Sequence, residues 1–392
     1  MKARLRGITW DHPRGLDSLL AAEAARPAGD DTALTGNTEV TWTARSLKDF
    51  GDLLPDTLAA RYDLLVIDHP HVPHAVAAGL LLPLDGTGFG AELADLAAQS
   101  VGPSHASYQY AGRQWALPVD AAAQVAAWRP DLLPAPPRTW DEVRALAAAG
   151  KVLWPGAPTD AIASFLTVAA SRGTPVSPEP GGGLLPAADG RAVLAHLHRL
   201  ADAVPAWCLG ANPIDIAERL SGDDGFSYVP LTYGYSNYAR AGFRPRRLAC
   251  ADMPLSADGE PAGSCLGGAG IAVSARSEHP AEAVRHAFWL ASAATQRGPY
   301  FTGGGQPANA VAWDDDAVNA VAPGFFRATR RTLDLAWVRP RHPGWPRFQE
   351  QAGNLVSQAL RRSITDVECL AGLDRLYDES QQETEADARA DR

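Results

Sequence analysis

Gly112-Arg-Gln-Trp-Ala-Leu-Pro-Val-Asp-Ala-Ala-Ala-Gln-Val-Ala-Ala-Trp-Arg129 is the stretch that decides how the chain folds. It starts as a polar turn and continues as an apolar, strand-like run that contains Pro118. Because proline has no backbone N–H donor, we expect the run to break there instead of forming one long central strand. The pattern predicts one strand leaving a first lobe and a second strand entering another, so that small dihedral changes open and close the pair.

The composition is that of a soluble protein with more than one core. A chain of 392 residues is too long for one ordinary domain, and 46% hydrophobic with 20% charged residues is typical of globular proteins. The net charge of −10 argues against nucleic acid as a partner. The four cysteines have neither metal-ligand nor paired spacing, so we expect buried thiols. No metal and no cofactor are expected.

The amino terminus contains no recognisable export signal. Met1-Lys-Ala-Arg-Leu-Arg6 leads directly into Gly7-Ile-Thr-Trp10, without an apolar segment or a small-residue cleavage site. No apolar run approaches the ~20 residues of a membrane span, so membrane insertion is not expected. We expect a cytoplasmic protein if Met1 is the native start, and an extracellular or cell-surface protein if a signal peptide was removed.

The first third of the chain alternates strands and helices. Strands are predicted at Leu5–Thr9, Glu39–Ala44 and Asp63–Ile67, the last a continuous apolar run typical of a buried parallel strand. Ser46 and Asp49 resemble a capping box that opens the helix between the second and third strands. The series predicts a parallel sheet flanked by helices.

Further patterns mark the remaining elements. Thr139 with Glu142, and Thr365 with Glu368, are capping-box pairs that predict helix starts. Gly267–Ser274 is predicted to be a strand that returns to the first lobe.

Several motifs resemble, in order, those of the extracellular solute-binding proteins of ABC importers (family 1, sugar-binding type). The crossover motif is Gly-x-x-x-x-Leu-Pro-x-Asp followed by an aromatic-Arg pair and Asp-Leu-Leu. Two other motifs are a Gly-x-Leu-x-Pro-Leu-Asp turn and a Pro-x-Thr-Trp-Asp-Glu helix start. The last combines a Gly-Gly strand, a His-Pro-x-x-Ala helix and a Gly-x-x-Pro-Ala turn. The matching residues are Gly112, Leu117, Pro118, Asp120, Trp128, Arg129, Asp131–Leu133, Gly79–Asp85, Pro137–Glu142, Gly267–Ser274, His279–Ala283 and Gly304–Ala308.

The resemblance implies a fold and a function. The fold is α/β, the two-lobed periplasmic-binding-protein-like type II fold, in which each lobe is a mainly parallel sheet flanked by helices and hinge crossovers join the lobes. The expected discontinuous lobes are 1–118 with 272–312, and 119–271 with 313–392. The expected function is binding of a small polar solute, a carbohydrate by family resemblance, in a cleft that closes by hinge motion. An ABC permease is the expected partner if the protein is exported.

Candidate ligand-binding residues follow from the rule that open parallel sheets bind ligands beyond the carboxyl ends of their strands. Each has a structural alternative: tryptophans are often core residues, Asp11 and His12 suit a helix cap, and Asp120 suits a turn. Arg14 suits a ligand carboxylate or the solvent. The predicted set is Trp10, Asp11, His12, Arg14, Arg45, Asp68, His69, Asp120, Trp128, Tyr233, Tyr235, Asn237 and Trp337.

Other chemistry is not favoured by the sequence. Asp68-His-Pro-His-Val-Pro-His74 holds three histidines, but its prolines break any regular register that would aim them at one metal ion. The sequence contains no Gly-x-Ser-x-Gly elbow, zinc motif or dinucleotide fingerprint.

Two function classes remain, with a third that is weaker. The first is a solute-binding protein. The second is a cytoplasmic enzyme on the same fold, a lyase, isomerase or hydrolase acting on a small carboxylate or thioester through acid-base chemistry. Its catalytic candidates are Asp11, His12, Asp68 and His69. The third is a cytoplasmic ligand sensor with a protein partner.

The first two classes differ in the fate of the ligand. A binding protein is stabilised by its ligand and returns it unchanged, because it has no differential affinity for a transition state. We expect the ligand recovered after long incubation to be chemically intact. Detectable turnover, lost in the His12→Ala or His69→Ala variants, would contradict the binding-protein hypothesis.

Overall fold

The chain forms two compact units in the computed structural model, which describes residues 3–26, 38–47, 56–177, 183–255 and 259–390, with side chains up to residue 382. The first unit comprises 1–122, 267–320 and 341–343, and the second comprises 123–266, 321–340 and 344–392. The first three passages of the chain between the units lie at 122/123, 266/267 and 320/321. The lobe boundaries expected from the sequence place them at 118/119, 271/272 and 312/313. The boundaries depend on long-range packing, which local patterns do not report.

The first unit is built on a mixed sheet. Strand β1 (Ala3–Trp10) pairs in parallel with β2 (Thr38–Arg45) and with β3 (Leu64–Ile67). The returning strand β9 (Leu266–Val273) is antiparallel to β3, and the order continues to β6 (Ala116–Trp128). The three predicted amino-terminal strands and their parallel pairing are confirmed. A separate hairpin is formed by β4 (Gln109–Tyr110) and β5 (Arg113–Gln114).

Helices and short turns fill the connections of the first unit. A wide helical turn at Pro13–Asp17 runs into the first helix, and a second wide turn lies at Gln296–Tyr300. The turn at His69–His71 is a tight 3-10 turn. The helices are α1 (Ser18–Ala25), α2 (Asp56–Arg61), α3 (Val72–Ala77), α4 (Gly90–Ala98), α5 (Ser104–Ser107), α10 (Pro280–Ala291), α11 (Ala293–Thr295), α12 (Ala310–Asp314) and α13 (Asp316–Val321), which contains the third passage between units.

Side chains alternate between the two faces of the sheet, so the first unit has a core cluster on each side of it. Leu64 and Val66 of β3 pack in one cluster, with Trp10 and the helix α10. Leu65 and Ile67 pack in the other, with Val72 of α3. Successive side chains of a strand point to opposite faces, so an unbroken apolar run such as Leu64–Ile67 belongs to a strand that is covered on both sides.

The carboxyl-terminal half of β6 belongs to the second unit. There β6 pairs antiparallel with β7 (Tyr228–Tyr233) and β8 (Ala249–Ala251). Short helical turns lie at Ala206–Gly210 and Ser236–Ala239. The helices are α6 (Trp140–Ala148), α7 (Pro158–Ser171), α8 (Ala187–Ala203), α9 (Pro213–Leu220), α14 (Phe326–Asp334), α15 (Trp345–Leu360) and α16 (Asp366–Ala390).

The centre of the second unit is helix α7, which is buried along most of its length. It lies so close to α15 that a Cβ on Gly353 would be 2.6 Å from the carbonyl oxygen of Pro158. It also carries a buried polar network: the Gln124 amide donates to Ser164 Oγ over 3.1 Å and accepts from Thr167 Oγ1 over 2.8 Å. Every polar atom of such a network needs a partner, so it fixes the register of β6 against α7.

The predicted interruption of β6 at Pro118 is wrong. The strand runs without a break from Ala116 to Trp128, and its irregularity is a bulge between Val125 and Ala127. Proline removes one donor but its fixed φ is compatible with extended backbone, and Pro118 is only the third residue of the strand, where a missing ladder bond costs little. One continuous strand therefore carries the chain from the first unit into the second.

Two of the predicted capping boxes are confirmed. Glu142 N donates to Thr139 Oγ1 over 3.3 Å, and Thr139 N donates to the Glu142 carboxylate over 3.0 Å. Thr365 and Glu368 make the same reciprocal pair of bonds. The Ser46–Asp49 box falls partly outside the described residues, since Asp49 is not described.

All four cysteines are buried free thiols, as predicted. Burial raises the pKa of Cys208 to about 11 and that of Cys250 and Cys369 to about 12. Thiols with such pKa values stay protonated and unreactive at neutral pH. Within the described part of the chain, no helix combines the length and the apolar character that crossing a membrane requires.

The close approach of β9 to β6 leads to a stability prediction for Gly268. Its φ is +109°, and a Cβ there would lie 2.3 Å from the Asp120 carbonyl oxygen. Gly112 also has positive φ, +74°, but nothing lies within 4 Å of its Cβ position. We expect Gly268→Ala to lower the free energy of unfolding by about 3 kcal/mol and Gly112→Ala by only about 1 kcal/mol.

Chemical denaturation of both variants measures this difference. Equal losses in the two variants would mean that backbone strain alone accounts for Gly268, and that the packing of β9 on β6 is looser than described.

Candidate functional site

The carboxyl ends of β1 and β2 bring three predicted residues together in the first unit. Trp10 and Arg45 are paired in the parallel ladder, and Asp11 N donates to the Arg45 carbonyl oxygen over 2.8 Å. Asp11 is exposed, Arg45 is half-buried and Trp10 is only 4% exposed within the core. A Cβ on Gly15 would lie 2.6 Å from the Trp10 ring, so the following turn packs directly on the indole. Of the three, Asp11 is the side chain that solvent reaches most.

His12 caps the wide turn that follows β1. Its backbone is extended, its Nδ1 accepts from Arg14 N over 3.0 Å, and Pro13 occupies the first helical position. Proline suits that position because its missing donor would have no partner there. Of the two residues predicted to lie near the cap, Asp11 and His12, it is His12 that caps the turn, and the cap sets the direction in which Arg14 leaves it.

Arg14 and Asp120 form a buried ion pair. Arg14 Nε donates to Asp120 Oδ2 over 2.6 Å and its Nη2 donates to Oδ1 over 2.5 Å. Arg14 is 5% and Asp120 2% exposed, although 106 residues separate them. The two parallel bonds are the geometry that a guanidinium prefers with a carboxylate, so the pair joins the turn after β1 to strand β6.

Burial dominates the electrostatics around this pair. It raises the pKa of Asp120 above its ordinary value, while the adjacent Arg14 acts in the opposite direction. Burial, with the Asp120 charge as a second cause, also raises the pKa of Tyr300. Each charge of this buried pair requires the other. Removing one of them leaves the remaining charge buried without a counter-charge, which is strongly destabilising.

Asp68 and His69 follow β3 and form a second cap. Asp68 Oδ1 accepts from His69 N over 2.8 Å and lies 3.2 Å from His69 Nδ1. The His69 ring is fully buried and meets Tyr108 edge to face, with ring centroids 6.2 Å apart. Tyr108 in turn donates to the Ile67 carbonyl oxygen over 3.3 Å. The pair thus has a structural role at the end of β3.

The histidine-rich segment after β3 forms a helical turn and the start of α3. His69 and His71 are buried, and His74 is half-buried in α3. Among the residues that the structure describes, no three histidine, cysteine, aspartate or glutamate side chains form a group that could hold a metal ion.

In the second unit, the candidate residues Tyr233, Tyr235 and Asn237 lie where β7 ends. Gly234 separates Tyr233 from Tyr235 at a close approach, since a Cβ there would lie 2.9 Å from Val125 Cγ2. Tyr235 then precedes the short helical turn Ser236–Ala239. Tyr233 and Tyr235 are half-buried, whereas Asn237 is only 1% exposed. The glycine lets the chain turn over β6 and leaves both tyrosine rings partly accessible.

A small cavity lies beside these tyrosines. It measures about 20 Å³ and is lined by Tyr233, Tyr235 and Tyr238 together with apolar side chains of α9 and β8. A space of this size holds about one water molecule. Tyr238 donates to Glu218 over 2.6 Å, which fixes one wall of the cavity.

Trp128 and Trp337 lie elsewhere in the second unit. Trp128 ends β6, opposite Tyr228, and is half-buried. Trp337 pairs with Cys265 in an isolated parallel bridge, and its backbone N donates to the Ser264 carbonyl oxygen over 2.7 Å. Neither tryptophan lines the cavity beside Tyr233 and Tyr235.

Tyr300 and Tyr108 support the first-unit residues but were not predicted from the sequence. Tyr300 is fully buried, and a Cβ on Gly305 would lie 2.3 Å from its ring. Gly305 lies in the turn Gly304–Ala308 that the sequence predicts, and this glycine therefore also marks close packing on an aromatic ring. For Tyr108 the corresponding signal is Gly270, whose Cβ would lie 2.6 Å from that ring.

The sequence matches the family model of the bacterial extracellular solute-binding proteins over residues 35–323. This match covers well over half of the chain. The chain belongs to this family, which the motifs around Gly112–Arg129 and Gly267–Ser274 had predicted. No curated protein matches the sequence.

Solved structures agree on the fold. The chain is similar to T. maritima MalE3 with bound maltose, at 18% identity and a TM-score of 0.77, covering 95% of this chain and 98% of that one. A solute-binding protein from Agrobacterium radiobacter in complex with ribitol has 18% identity, a TM-score of 0.76, and coverages of 97% and 98%. One from Thermotoga lettingae bound with alpha-D-tagatose has 16% identity, a TM-score of 0.76, and coverages of 96% and 99%. The two-lobed periplasmic-binding-protein-like fold is therefore confirmed, whereas the expected mainly parallel sheet is not found in the described part of the second unit, where β6 pairs antiparallel with β7 and β8.

The buried Arg14–Asp120 pair leads to a second stability prediction. We expect Asp120→Asn to lower the free energy of unfolding by about 3 to 5 kcal/mol, because it leaves the Arg14 charge buried without a counter-charge. The exposed pair Arg362–Asp202, with side chains about 60% accessible, is the matched control. Arg362→Gln should change the free energy by less than about 1 kcal/mol.

Chemical denaturation of the two single variants and of Arg14→Met/Asp120→Leu tests the coupling. The double variant should regain much of the loss, because neither charge is then stranded. Additive losses in the double variant would contradict a tightly coupled pair.

Proposed function

We propose that this protein binds a small polyhydroxylated solute, a sugar or sugar alcohol, and releases it chemically unchanged. The observation that carries the proposal is membership of the bacterial extracellular solute-binding family across residues 35–323. The choice of solute class rests on three similar structures that contain maltose, ribitol and alpha-D-tagatose. All three ligands are neutral and rich in hydroxyl groups.

In the first unit, Asp11 is the residue best suited to contact such a solute. Its side chain is exposed at the carboxyl end of β1, and its backbone is anchored to Arg45. A carboxylate accepts hydrogen bonds from hydroxyl groups, and such charge-assisted bonds contribute more than neutral ones. Arg14 and Asp120 are already paired with each other, so we assign them a supporting role that holds β6 against the turn after β1.

In the second unit, Tyr233 and Tyr235 are the proposed contacts. Both rings are half-buried beside the Gly234 turn, and tyrosine combines an apolar ring face with a hydroxyl. A sugar ring presents both C–H faces and hydroxyl edges, so an aromatic side chain with a polar tip suits it. Contacts by Trp10, His12, Trp128, Asn237 and Trp337 stay predictions from the sequence.

The enzyme hypothesis is less favoured than solute binding. The family match supports solute binding, and one member of each acid-base candidate pair has a structural role in the fold: His12 and Asp68 each cap a helical turn through their side chains. An acid-base catalyst must instead reach a proton of the substrate.

The partner and the location of the protein stay predictions. An ABC permease is the proposed partner for an exported form, since the family supplies solutes to such importers. The cytoplasmic and the extracellular locations predicted from the sequence are distinguished by fractionation of the native cell, with an antibody against this protein.

Thermal unfolding in the presence of candidate solutes tests the function. Maltose, ribitol and tagatose should be screened beside small carboxylates and thioesters. A solute that binds only the folded protein stabilises it by about 2.7 kcal/mol at a concentration of 100 times its Kd. A set of shifts confined to carboxylates or thioesters, or a ligand recovered in altered form, would contradict the proposal.

The contribution of Asp11 is tested with a matched pair of variants. We expect Asp11→Asn to weaken binding of the best solute about tenfold, because it removes a charged acceptor of hydroxyl hydrogen bonds. Asp17→Asn removes another exposed carboxylate, six residues along the same segment, and should leave affinity unchanged. Isothermal titration calorimetry measures both, and equal affinities for the two variants would exclude Asp11 from the site.

A further inference from the structure

A second cavity lies in the second unit, between helices α6 and α8. It measures about 240 Å³, and α6 lines it with Val143, Arg144 and neighbouring residues while α8 lines it with His196, Arg199 and Leu200. The complete lining is Trp140, Val143, Arg144, Ala147, Ala148, His196, Arg199, Leu200 and Ala203. None of these residues belongs to the predicted solute site, so the cavity is independent of the function proposed above.

Apolar side chains from both helices form the floor of this cavity. Val143 and Ala147 face the cavity from α6, one turn apart, and Leu200 and Ala203 face it from α8. Spacings of three and four residues place side chains on the same side of a helix. The result is an apolar floor that both helices contribute to.

Positive charge surrounds the rim of the cavity. Arg144 forms an ion pair with Asp141 on its own helix, whereas Arg199 has no carboxylate partner among the residues that the structure describes. Arg172, at the end of α7, adds to the positive potential felt in the cavity at His196. An unneutralised guanidinium beside an apolar floor favours an anion with an apolar body.

Two aromatic rings in the cavity lining favour a particular shape for the apolar part of the ligand. The Trp140 and His196 rings meet edge to face, with centroids 4.2 Å apart and an interplanar angle of 87°. Burial, followed by the three nearby arginines, lowers the pKa of His196 to about 4, so its imidazole is neutral at physiological pH. Two neutral aromatic rings at right angles offer a face and an edge to a third ring.

We propose that this cavity is a binding site for a small aromatic carboxylate. The ring of the ligand packs on the apolar floor beside Trp140, and its carboxylate accepts hydrogen bonds from Arg199. The volume supports this class of ligand, because a cavity of about 150 Å³ already accommodates benzene. A disaccharide or a peptide is too large and too polar for a space with this floor.

Phenylacetate is the test ligand, and ligand-observed NMR titration is the measurement, since the 11 tryptophans make intrinsic fluorescence unspecific. We expect a Kd on the order of 1 mM, typical of a ligand with so few atoms. Benzyl alcohol, without the charge, and cyclohexylacetate, without the aromatic ring, should each bind several times more weakly. The titrations use the full chain without any sugar or polyol.

Three variants locate the site. Arg199→Gln should weaken phenylacetate binding about tenfold, whereas Arg191→Gln, on an exposed position of the same helix outside the lining, should leave it unchanged. Ala203→Leu should abolish binding by filling the cavity, with unaltered circular dichroism and cooperative thermal unfolding as evidence of a folded chain. Phenylacetate binding that is absent in the unaltered protein, or equally strong in Arg199→Gln and Ala203→Leu, would overturn the proposal.

Discussion

The buried pair of Arg14 and Asp120 constrains much of the first unit. A carboxylate that is 2% exposed is stable only beside a counter-charge, so the turn after β1 has to deliver a guanidinium to β6. The His12 cap and Pro13 give that turn its direction. Gly268 allows β9 to pass against the Asp120 backbone, and Tyr300 covers the same region. Residues from four separate parts of the sequence therefore pack around one ionic contact.

The second unit is organised by a neutral counterpart of this arrangement. Gln124 is the one polar residue in the run Ala121–Ala127, and its amide is satisfied by Ser164 and Thr167 of α7. Ser264 Oγ donates to the Gln124 carbonyl oxygen over 2.6 Å. This bond attaches the segment that precedes β9 to β6 at Gln124. Strand β6 thus carries an ionic anchor at Asp120 and a hydrogen-bonded anchor at Gln124, one for each unit.

The sequence was most informative where a local pattern has one physical solution. The apolar run Leu64–Ile67, the capping pairs Thr139–Glu142 and Thr365–Glu368, and the ordered family motifs led to the observed strands, helix starts and fold. It was least informative for long-range choices. Arg14 and Asp120 were each candidates for ligand contact, but their 106-residue separation hid their pairing. The continuity of β6 through Pro118 likewise depends on neighbouring strands that no local pattern describes.

The four buried thiols have a practical consequence. All four are inaccessible: Cys208, Cys250, Cys265 and Cys369. Those with raised pKa values also remain protonated. Alkylating dyes should therefore not react with any of the four thiols. A single cysteine introduced on the surface of either unit would be the one site that a maleimide probe modifies rapidly. The natural chain is therefore ready for site-specific attachment of spectroscopic labels, without first replacing any of its own cysteines.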